Sequence, residues 1–384
     1  MDELKVAMVA PPWYEVPPKA YGGIESVCAD LADQLPRQAV HVTLIGVGRN
    51  GTDAKFISLC EVPQENRIGL SMPEVGHAAA MPDVLAGLDV DLVHDHSLAG
   101  PLLARGRALP TVVTAHGPVT GEMGRYYRAL GRSVHLVALS EAQRAHAPDL
   151  NWVATVHNAV RVAEFPFRQT KEDFALFLGR SSPEKGIPEA IRVARAAGVR
   201  LLIAAKCREP DEIRYFDEVV KPLLGDGDGV DWLGEADREH KLTLLAAARC
   251  LLFPIQWEEP FGLVMAEALA CGTPVVALRR GSVPEVVTHG ETGWVCDDLD
   301  ELAGALTRVG SLSPARCRAD AEERFDVPLM ARRYEAAYRS VVERATCTRR
   351  VKPTTDSRPA STSNGQRAAA MLEGPQMRSQ PCRS

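Results

Sequence analysis

No apolar run in this sequence approaches the roughly 20 residues that a membrane-spanning helix needs, so no integral membrane segment is expected and membrane contact would be peripheral. Met1-Asp2-Glu3 leads at once into a short strand-like run, which argues against a signal peptide. The nine cysteines, at 28, 60, 207, 250, 271, 296, 317, 347 and 382, are odd in number and never form C-x-x-C. Neither a zinc site nor a disulfide framework is read from them; reduced, mostly buried thiols in a cytoplasmic protein are expected. Positive charge is not in excess either. A net charge of -6 argues against a general nucleic-acid binder.

What the chain does contain is an ordinary globular composition, 46% hydrophobic and 24% charged over 384 residues, a length that favours two domains over one core. Short β-branched runs alternate with helical patterns. They lie at 5-10, 41-47, 91-96, 111-116 and 135-140 in the first half, and at 174-179, 199-205, 230-234, 250-255 and 274-278 in the second. Near-continuous apolar strands separated by helices predict α/β domains with doubly wound parallel sheets, about five strands in each block. Ile24, Val27, Cys28, Leu31 and Leu35 form one stripe of a 3.6-residue period and predict a helix packed on the first sheet.

The proline and polar residues of Glu164-Phe165-Pro166-Phe167-Arg168-Gln169-Thr170 mark the expected boundary and hinge between a domain at 1-166 and a second at 167-325. A C-terminal helix at 326-345 would cross back to the first domain. Residues 346-384 hold seven Lys/Arg against two acidic residues and almost no apolar periodicity, so a disordered basic tail is expected there.

Several strand ends carry polar residues. Gly22-Gly23 follows the first strand and a long proline-rich loop, PPWYEVPPKA (11-20), and opens a helix. Adjacent glycines there let backbone N–H groups approach an anion, although a flexible turn explains them equally well, and the pair is not the G-x-G-x-x-G dinucleotide fingerprint. In Gly179-Arg180-Ser181-Ser182-Pro183-Glu184-Lys185-Gly186, two cations follow the first strand of the second block, where such folds bind ligands. The stretch lacks the Walker A order, and plain surface charge is its other reading. His94, Asp95 and His96, then His116-Gly117-Pro118, Ser140-Glu141 and Asn158 end strands of the first block. His94 and His96 point to one side of a strand with Asp95 opposite, but no third ligand at a defined spacing makes them a metal site.

The segment 258-276, EEPFGLVMAEALACGTPVV, places two carboxylates in an otherwise apolar run. Pro260 reads as the start of a helix reaching about Ala270 and ended by Gly272. Glu259 then lies at its N-terminus, where a dipole partner would suffice as an explanation. Glu267, well inside the helix, has no such explanation.

Taken together these residues resemble the retaining glycosyltransferases of family 4, which have the GT-B fold of two Rossmann-like domains facing across a cleft. The resemblance rests on Glu259-Pro260-Phe261-Gly262-Leu263-Val264-Met265-Ala266-Glu267, on Gly22-Gly23, on Gly179-Arg180 with Lys185-Gly186, and on Gly272-x-Pro274-Val275-Val276 and Pro284-Glu285. It implies that Arg180 and Lys185 neutralise a nucleotide diphosphate, that Glu267 binds the ribose hydroxyls, and that Glu259 binds the donor sugar. It also implies that the N–H groups of Phe261, Gly262 and Leu263 meet phosphates or sugar, that Gly22 and Gly23 close on the diphosphate, and that His116 lies near the reacting sugar. No metal or cofactor is implied. Two departures stand out: Arg279-Arg280-Gly281-Ser282-Val283 precedes Pro284-Glu285 where members often carry two glycines, and Asn158-Ala159 replaces Asn-Gly.

The resulting expectation is a cytoplasmic or peripheral retaining enzyme that moves a hexose from a nucleotide-diphosphate sugar, UDP-glucose or similar, to an unidentified acceptor. The 11-25 loop resembles that of a bacterial subgroup acting on small molecules such as pteridines and antibiotic intermediates. Trp13, Tyr14 and Tyr21 are placed either to stack on an acceptor or to pack on the sheet. Two alternatives remain: a nucleotide-sugar epimerase on the same fold and a non-catalytic sugar-nucleotide-binding protein.

Overall fold

A computed structural model describes residues 3-19, 22-225, 227 and 229-351. Its strands form two sheets, every neighbouring pair parallel. The first contains β1 (Leu4–Val9), β2 (Val40–Gly46), β3 (Lys55–Ser58), β4 (Leu92–Asp95), β5 (Thr111–Thr114), β6 (His135–Ala138) and β7 (Trp152–Thr155), in the order β3-β2-β1-β4-β5-β6-β7. The second contains β8 (Ala175–Arg180), β9 (Leu201–Lys206), β10 (Val230–Gly234), β11 (Cys250–Phe253), β12 (Val275–Leu278) and β13 (Gly293–Cys296), in the order β10-β9-β8-β11-β12-β13.

The central strands are buried on both faces, as their unbroken apolar runs require, and helices cover each side. Five strands per block undercounts the seven and six observed. The missing β3, β7 and β13 all lie at sheet edges. Edge strands are covered less completely, so they carry no long apolar run: all four residues of β7 are only half-buried, and both ends of β3 are exposed.

The stripe Val27, Cys28, Leu31 and Leu35 packs as its spacing predicts, on the helix Gly23–Gln34 and the residue after it. Facing it in the same core are Val327, Met330, Ala331, Tyr334, Tyr338 and Val341 of the C-terminal helix Val327–Val351, which lies against the first sheet. That helix runs past 345 into the stretch expected to be disordered, with Thr346 Oγ1 donating to Val342 O at 2.9 Å. The rest of the expected tail, Cys382 included, and Tyr21 lie outside the described residues.

The chain crosses between the sheets near residue 160 and returns near 326. The crossing is held by Val160 N donating to Phe325 O at 2.9 Å and by Arg161 reaching Asp30 and Asp33 at 2.5 and 2.7 Å. Every described cysteine is unpaired, and Cys28, Cys250, Cys271, Cys296 and Cys317 are buried. No helix among the described residues is long and apolar enough to cross a membrane.

Candidate active site

In each sheet the strand order reverses beside the first strand, between β1 and β4 and between β8 and β11, and the loops after these strands form the natural binding crevice of a parallel sheet. The loops from the two sheets meet. A cavity of about 70 Å³ is lined by Pro118, Val119, Thr120, Gln143 and His146 from one side and by Glu258, Glu259, Pro260 and Gly281 from the other. A larger space of about 450 Å³ lies between Ile68 and the stretch Arg180 to Glu184, with Lys206, Glu209, Asp211 and Glu212.

On the second-domain side the sequence-predicted cations and carboxylates pair. Lys185 Nζ lies 2.6 Å from Glu259 Oε2 and 5.4 Å from the centre of the Trp257 ring, and Trp257 Nε1 donates to the same Glu259 oxygen at 2.9 Å. Arg180 donates to Glu184 at 2.8 Å and sits 4.0 Å from Glu212. Glu267 accepts from Lys241 Nζ at 2.8 Å, with its side chain only 16% exposed. Lys206, buried, joins Glu209 and Glu212 beside them. The more buried of these pairs, Lys206–Glu212 and Lys185–Glu259, hold their charged groups in one position, because separating them would leave an uncompensated charge largely out of water.

The helix carrying Glu267 begins at Leu263, not at Pro260 as the proline suggested. Ser282 N donates to Glu259 O at 3.0 Å and Ser282 Oγ to Phe261 O at 2.8 Å, which diverts the carbonyls a helix would need before Gly262. Glu259 therefore sits in the loop ahead of the helix, where it meets Lys185 and Trp257. Gly281, at φ +49°, lets this turn close: a Cβ there would lie 2.3 Å from Glu259 O. Among the described residues no acceptor meets the N–H groups of Phe261, Gly262 or Leu263, and no side chain caps this helix. These are the free donors of a helix N-terminus.

From the first domain, Gly22, at φ +144°, leads into the helix that Gly23 opens. A Cβ on Gly23 would lie 3.3 Å from Leu263 Cδ1, so the structure brings the Gly22-Gly23 loop onto the start of the Leu263 helix. Glu25 is buried one turn further, and burial pushes its carboxyl up to about 8. The Trp13 side chain hydrogen-bonds Glu74, and Tyr14 offers its backbone to Glu25, so both contribute contacts within the domain.

His116 is half-buried and its Nε2 lies 2.8 Å from Nδ1 of the buried His96, whose Nε2 lies 3.2 Å from Nδ1 of His94. His94 Nε2 reaches Thr114 Oγ1 at 2.8 Å. Burial lowers all three histidines, His116 to about 3, so they stand neutral. His94, in β4, and His96, just after it, lie ring against ring with a nitrogen of each 3.2 Å apart. Among the described residues no group of three His, Cys, Asp or Glu could hold a metal ion. Asp95, on the opposite side, accepts from Ser97 N and Oγ at 2.9 and 2.7 Å, and burial raises it to about 6.

Other residues hold these loops in place. Gln143 Nε2 donates to Ala115 O and Gly117 O at 2.7 and 2.8 Å, bracketing His116. Ser140 caps the short helix Glu141–Ala145 by accepting from Gln143 N at 3.1 Å. Glu285 spans the cleft: it accepts from Glu141 N, Ala142 N and His157 Nε2 at 2.9, 2.7 and 3.0 Å. Burial alone would raise the Glu285 carboxyl, but the hydrogen bonds from His157 and the two N–H groups outweigh it and hold the carboxyl below its usual range. Asn158 is buried near this crossing, with Oδ1 unpartnered among the described residues. Lys241, Trp257, Gln143 and His157 escaped sequence reasoning, as did the pairing of Glu285 with Glu141, and only Trp257 lies close enough in sequence to have been found.

Two family models match the chain in succession: Glycosyltransferase Family 4 over residues 21–164 and Glycosyl transferases group 1 over residues 163–324. Glycogen synthase of Mycobacterium tuberculosis (strain ATCC 25618 / H37Rv) is 27% identical over 364 residues, spanning 80% of this chain and 86% of that enzyme. Alpha-maltose-1-phosphate synthase of Mycolicibacterium smegmatis (strain ATCC 700084 / mc(2)155) is 28% identical over 335 residues, 76% and 84% of the two chains. Among solved structures, AviGT4, a glycosyltransferase involved in Avilamycin A biosynthesis, superposes with a TM-score of 0.64 at 28% identity over 88% of this chain and 98% of its own. Anabaena HepE, solved in complex with UDP-glucose, shares the fold with a TM-score of 0.66 at 19% identity, covering 88% of this chain and 100% of its own. With both family models matched in order and a cleft between two parallel sheets, the chain belongs to the glycosyltransferases of family 4 with the GT-B fold.

Proposed function

We propose that the enzyme is a retaining hexosyltransferase that takes its sugar from a nucleotide-diphosphate donor, UDP-glucose or similar. The observation that carries this reading is the Lys185–Glu259 pair, 2.6 Å apart at the cleft, beside the uncapped N-terminus of the Leu263 helix. A diphosphate would draw Lys185 and Arg180, and would accept from the N–H groups of Phe261, Gly262 and Leu263. Glu259 would then take sugar hydroxyls, and Glu267 the ribose diol, for which a carboxylate is a natural acceptor. Gly22 and Gly23 would close over the diphosphate from the first domain, with His116 beside the sugar.

Departure of the nucleotide builds negative charge on the phosphate nearest the sugar, and donors aimed at that charge stabilise the transition state more than the ground state. Arg180, Lys185 and the helix N-terminus supply this stabilisation, so the reading assigns no step to a metal. Retention would follow from attack on the face the nucleotide leaves. An acceptor of small-molecule size is supported by the likeness to AviGT4, and the UDP-glucose complex of HepE supports the donor class. The unpaired thiols support a cytoplasmic setting, and the domains are read as 1-166 and 167-325 with a hinge at 164-170.

A panel of nucleotide sugars tests the reading by thermal shift and by donor hydrolysis. One nucleotide-diphosphate hexose is expected to raise Tm in proportion to its saturation. Conversion of that donor to its epimer without an acceptor would overturn the reading, as would unchanged turnover in Glu259→Ala.

A further inference from the structure

The three histidines end at the C-terminal helix. Tyr338 OH lies 2.7 Å from His94 Nδ1, and Tyr334 OH lies 2.8 Å from Thr114 Oγ1, the partner of His94 Nε2. Tyr334, Tyr338 and His94 are fully buried, and Tyr338 OH has no other polar contact among the described residues. A hydroxyl in that position keeps its hydrogen bonded wherever it can, since an unmade bond out of water is costly.

His94 Nδ1 is the deciding atom, because Tyr338 OH and His96 Nε2 both point at it, at 2.7 and 3.2 Å. A bare ring nitrogen has one in-plane lone pair, which the nearer Tyr338 hydroxyl takes, while His96 Nε2 makes the longer and weaker contact. A protonated one holds a single hydrogen for two neighbours and leaves the hydroxyl hydrogen of Tyr338 facing it. The separation from Tyr338 also matches an O–H donor better than an N–H donor. The Thr114–Tyr334 contact decides nothing, since each hydroxyl can donate or accept. With Nδ1 bare, His94 carries its proton on Nε2 and donates it to Thr114. A second bare nitrogen facing it at 3.2 Å would set two lone pairs against each other, so His96 carries its proton on Nε2, which leaves its Nδ1 bare for the Nε2–H of His116.

We propose that Tyr338 of the C-terminal helix sets the tautomer of His116 through His94 and His96, so that His116 offers an unprotonated Nδ1 as a hydrogen-bond acceptor for a substrate hydroxyl in the cleft. The His116 Nδ1 atom meets no partner among the described residues and is not among their sealed, unpartnered atoms. Tyr338, His94 and His96 are thereby positioning residues, acting on the cleft through His116. Burial supports the arrangement by keeping the rings neutral. The tautomer follows from the contacts alone, whereas the substrate hydroxyl rests on the function proposed above.

The test is heteronuclear NMR of the imidazole nitrogens in the full chain without donor, with His116 assigned by its loss in His116→Gln. Nε2–H is expected at His94, His96 and His116. In Tyr338→Phe the Nδ1–H form is expected to appear at all three together, while Tyr334→Phe leaves them unchanged. Protonated Nδ1 at His116 in the wild-type protein overturns the proposal, and so does a Tyr338→Phe spectrum identical to wild type. Should Tyr338→Phe not fold, the wild-type spectrum alone decides. In turnover assays Tyr338→Phe is expected to lower kcat/KM roughly threefold to tenfold, the size of one hydrogen bond; unchanged kcat/KM alongside the expected spectra would overturn the substrate contact while leaving the tautomer standing. Because the spectra need no donor, a wrong donor assignment does not disturb them.

Discussion

The two walls of the cleft handle ionisable groups in opposite ways. The second-domain wall keeps its charges and pairs them: Lys185 with Glu259, Lys241 with Glu267, and Arg180 with Glu184. The first-domain wall suppresses charge by burial, with His94, His96 and His116 neutral and the Glu25 carboxyl raised to about 8, although Asp95, raised only to about 6, still ionises near neutral pH. A paired wall can exchange partners with an anionic ligand at reduced desolvation cost, since its charges are already partly withdrawn from water and held in place. A neutral wall offers hydrogen bonds without long-range fields, which suits hydroxyl groups. On the function proposed above, this difference divides the work of one cleft between two similar sheets: leaving-group charge on one side, hydroxyl recognition on the other.

Breaking the charged wall is expected to have the largest effect. Lys185→Ala should lower kcat/KM by about a hundredfold to a thousandfold, measured by transfer or donor hydrolysis. His116→Ala on the neutral wall should cost less, about tenfold to a hundredfold. If the two losses came out in the reverse order, the division between the walls would be wrong. Glu267→Ala, which would remove the proposed ground-state contact with the ribose, should raise the donor KM about tenfold and leave kcat within about twofold.

Stability against pH sharpens the same contrast. Unfolded, a glutamate releases its proton near pH 4.5, whereas buried Glu25 holds it to about 8, so folding stability falls as pH rises through that window. Glu25→Gln lacks this penalty, and its Tm relative to wild type should climb by several degrees between about pH 5 and about pH 8. The histidines work in the other direction. His116 titrates at about 3 folded but near 6.5 unfolded, so its contribution is present above 6.5 and is lost as pH falls toward 3. A flat Tm difference for Glu25→Gln across the range would show that the first-domain wall is not neutral. As the smallest effect, Arg128→Ala removes an exposed pair with Asp149 away from both walls, and it should leave Tm within about 1 °C.

Much of this was legible in the linear chain because it is local. The buried strands of both sheets show as apolar runs, and the spacing from Glu259 to Glu267 singled out two carboxylates that the structure pairs with Lys185 and Lys241. Edge strands such as β7 failed to show because half-burial leaves mixed residues. The helix start was misread at Pro260 because the residue that delays it, Ser282, belongs to another loop. Nothing near Glu285 foretold its grip on Glu141, Ala142 and His157, more than a hundred residues earlier. Residues 346-351 read as tail by composition, yet they continue a helix already anchored through Tyr334, Tyr338 and Val341.

By itself, then, the amino-acid sequence determined the alternation of strands and helices, the parallel sheets, and which local segments carry Gly22, Gly23, Arg180, Lys185, Glu259 and Glu267, since periodicity and turn chemistry act over a few residues. Only the tertiary structure decided which charge answers which, that Gly23 rests on Leu263, and that Tyr338 reaches His94 from 244 residues away. Those contacts depend on two sheets and a returning helix closing on one another, and burial in that closed arrangement is what leaves one wall neutral and the other paired.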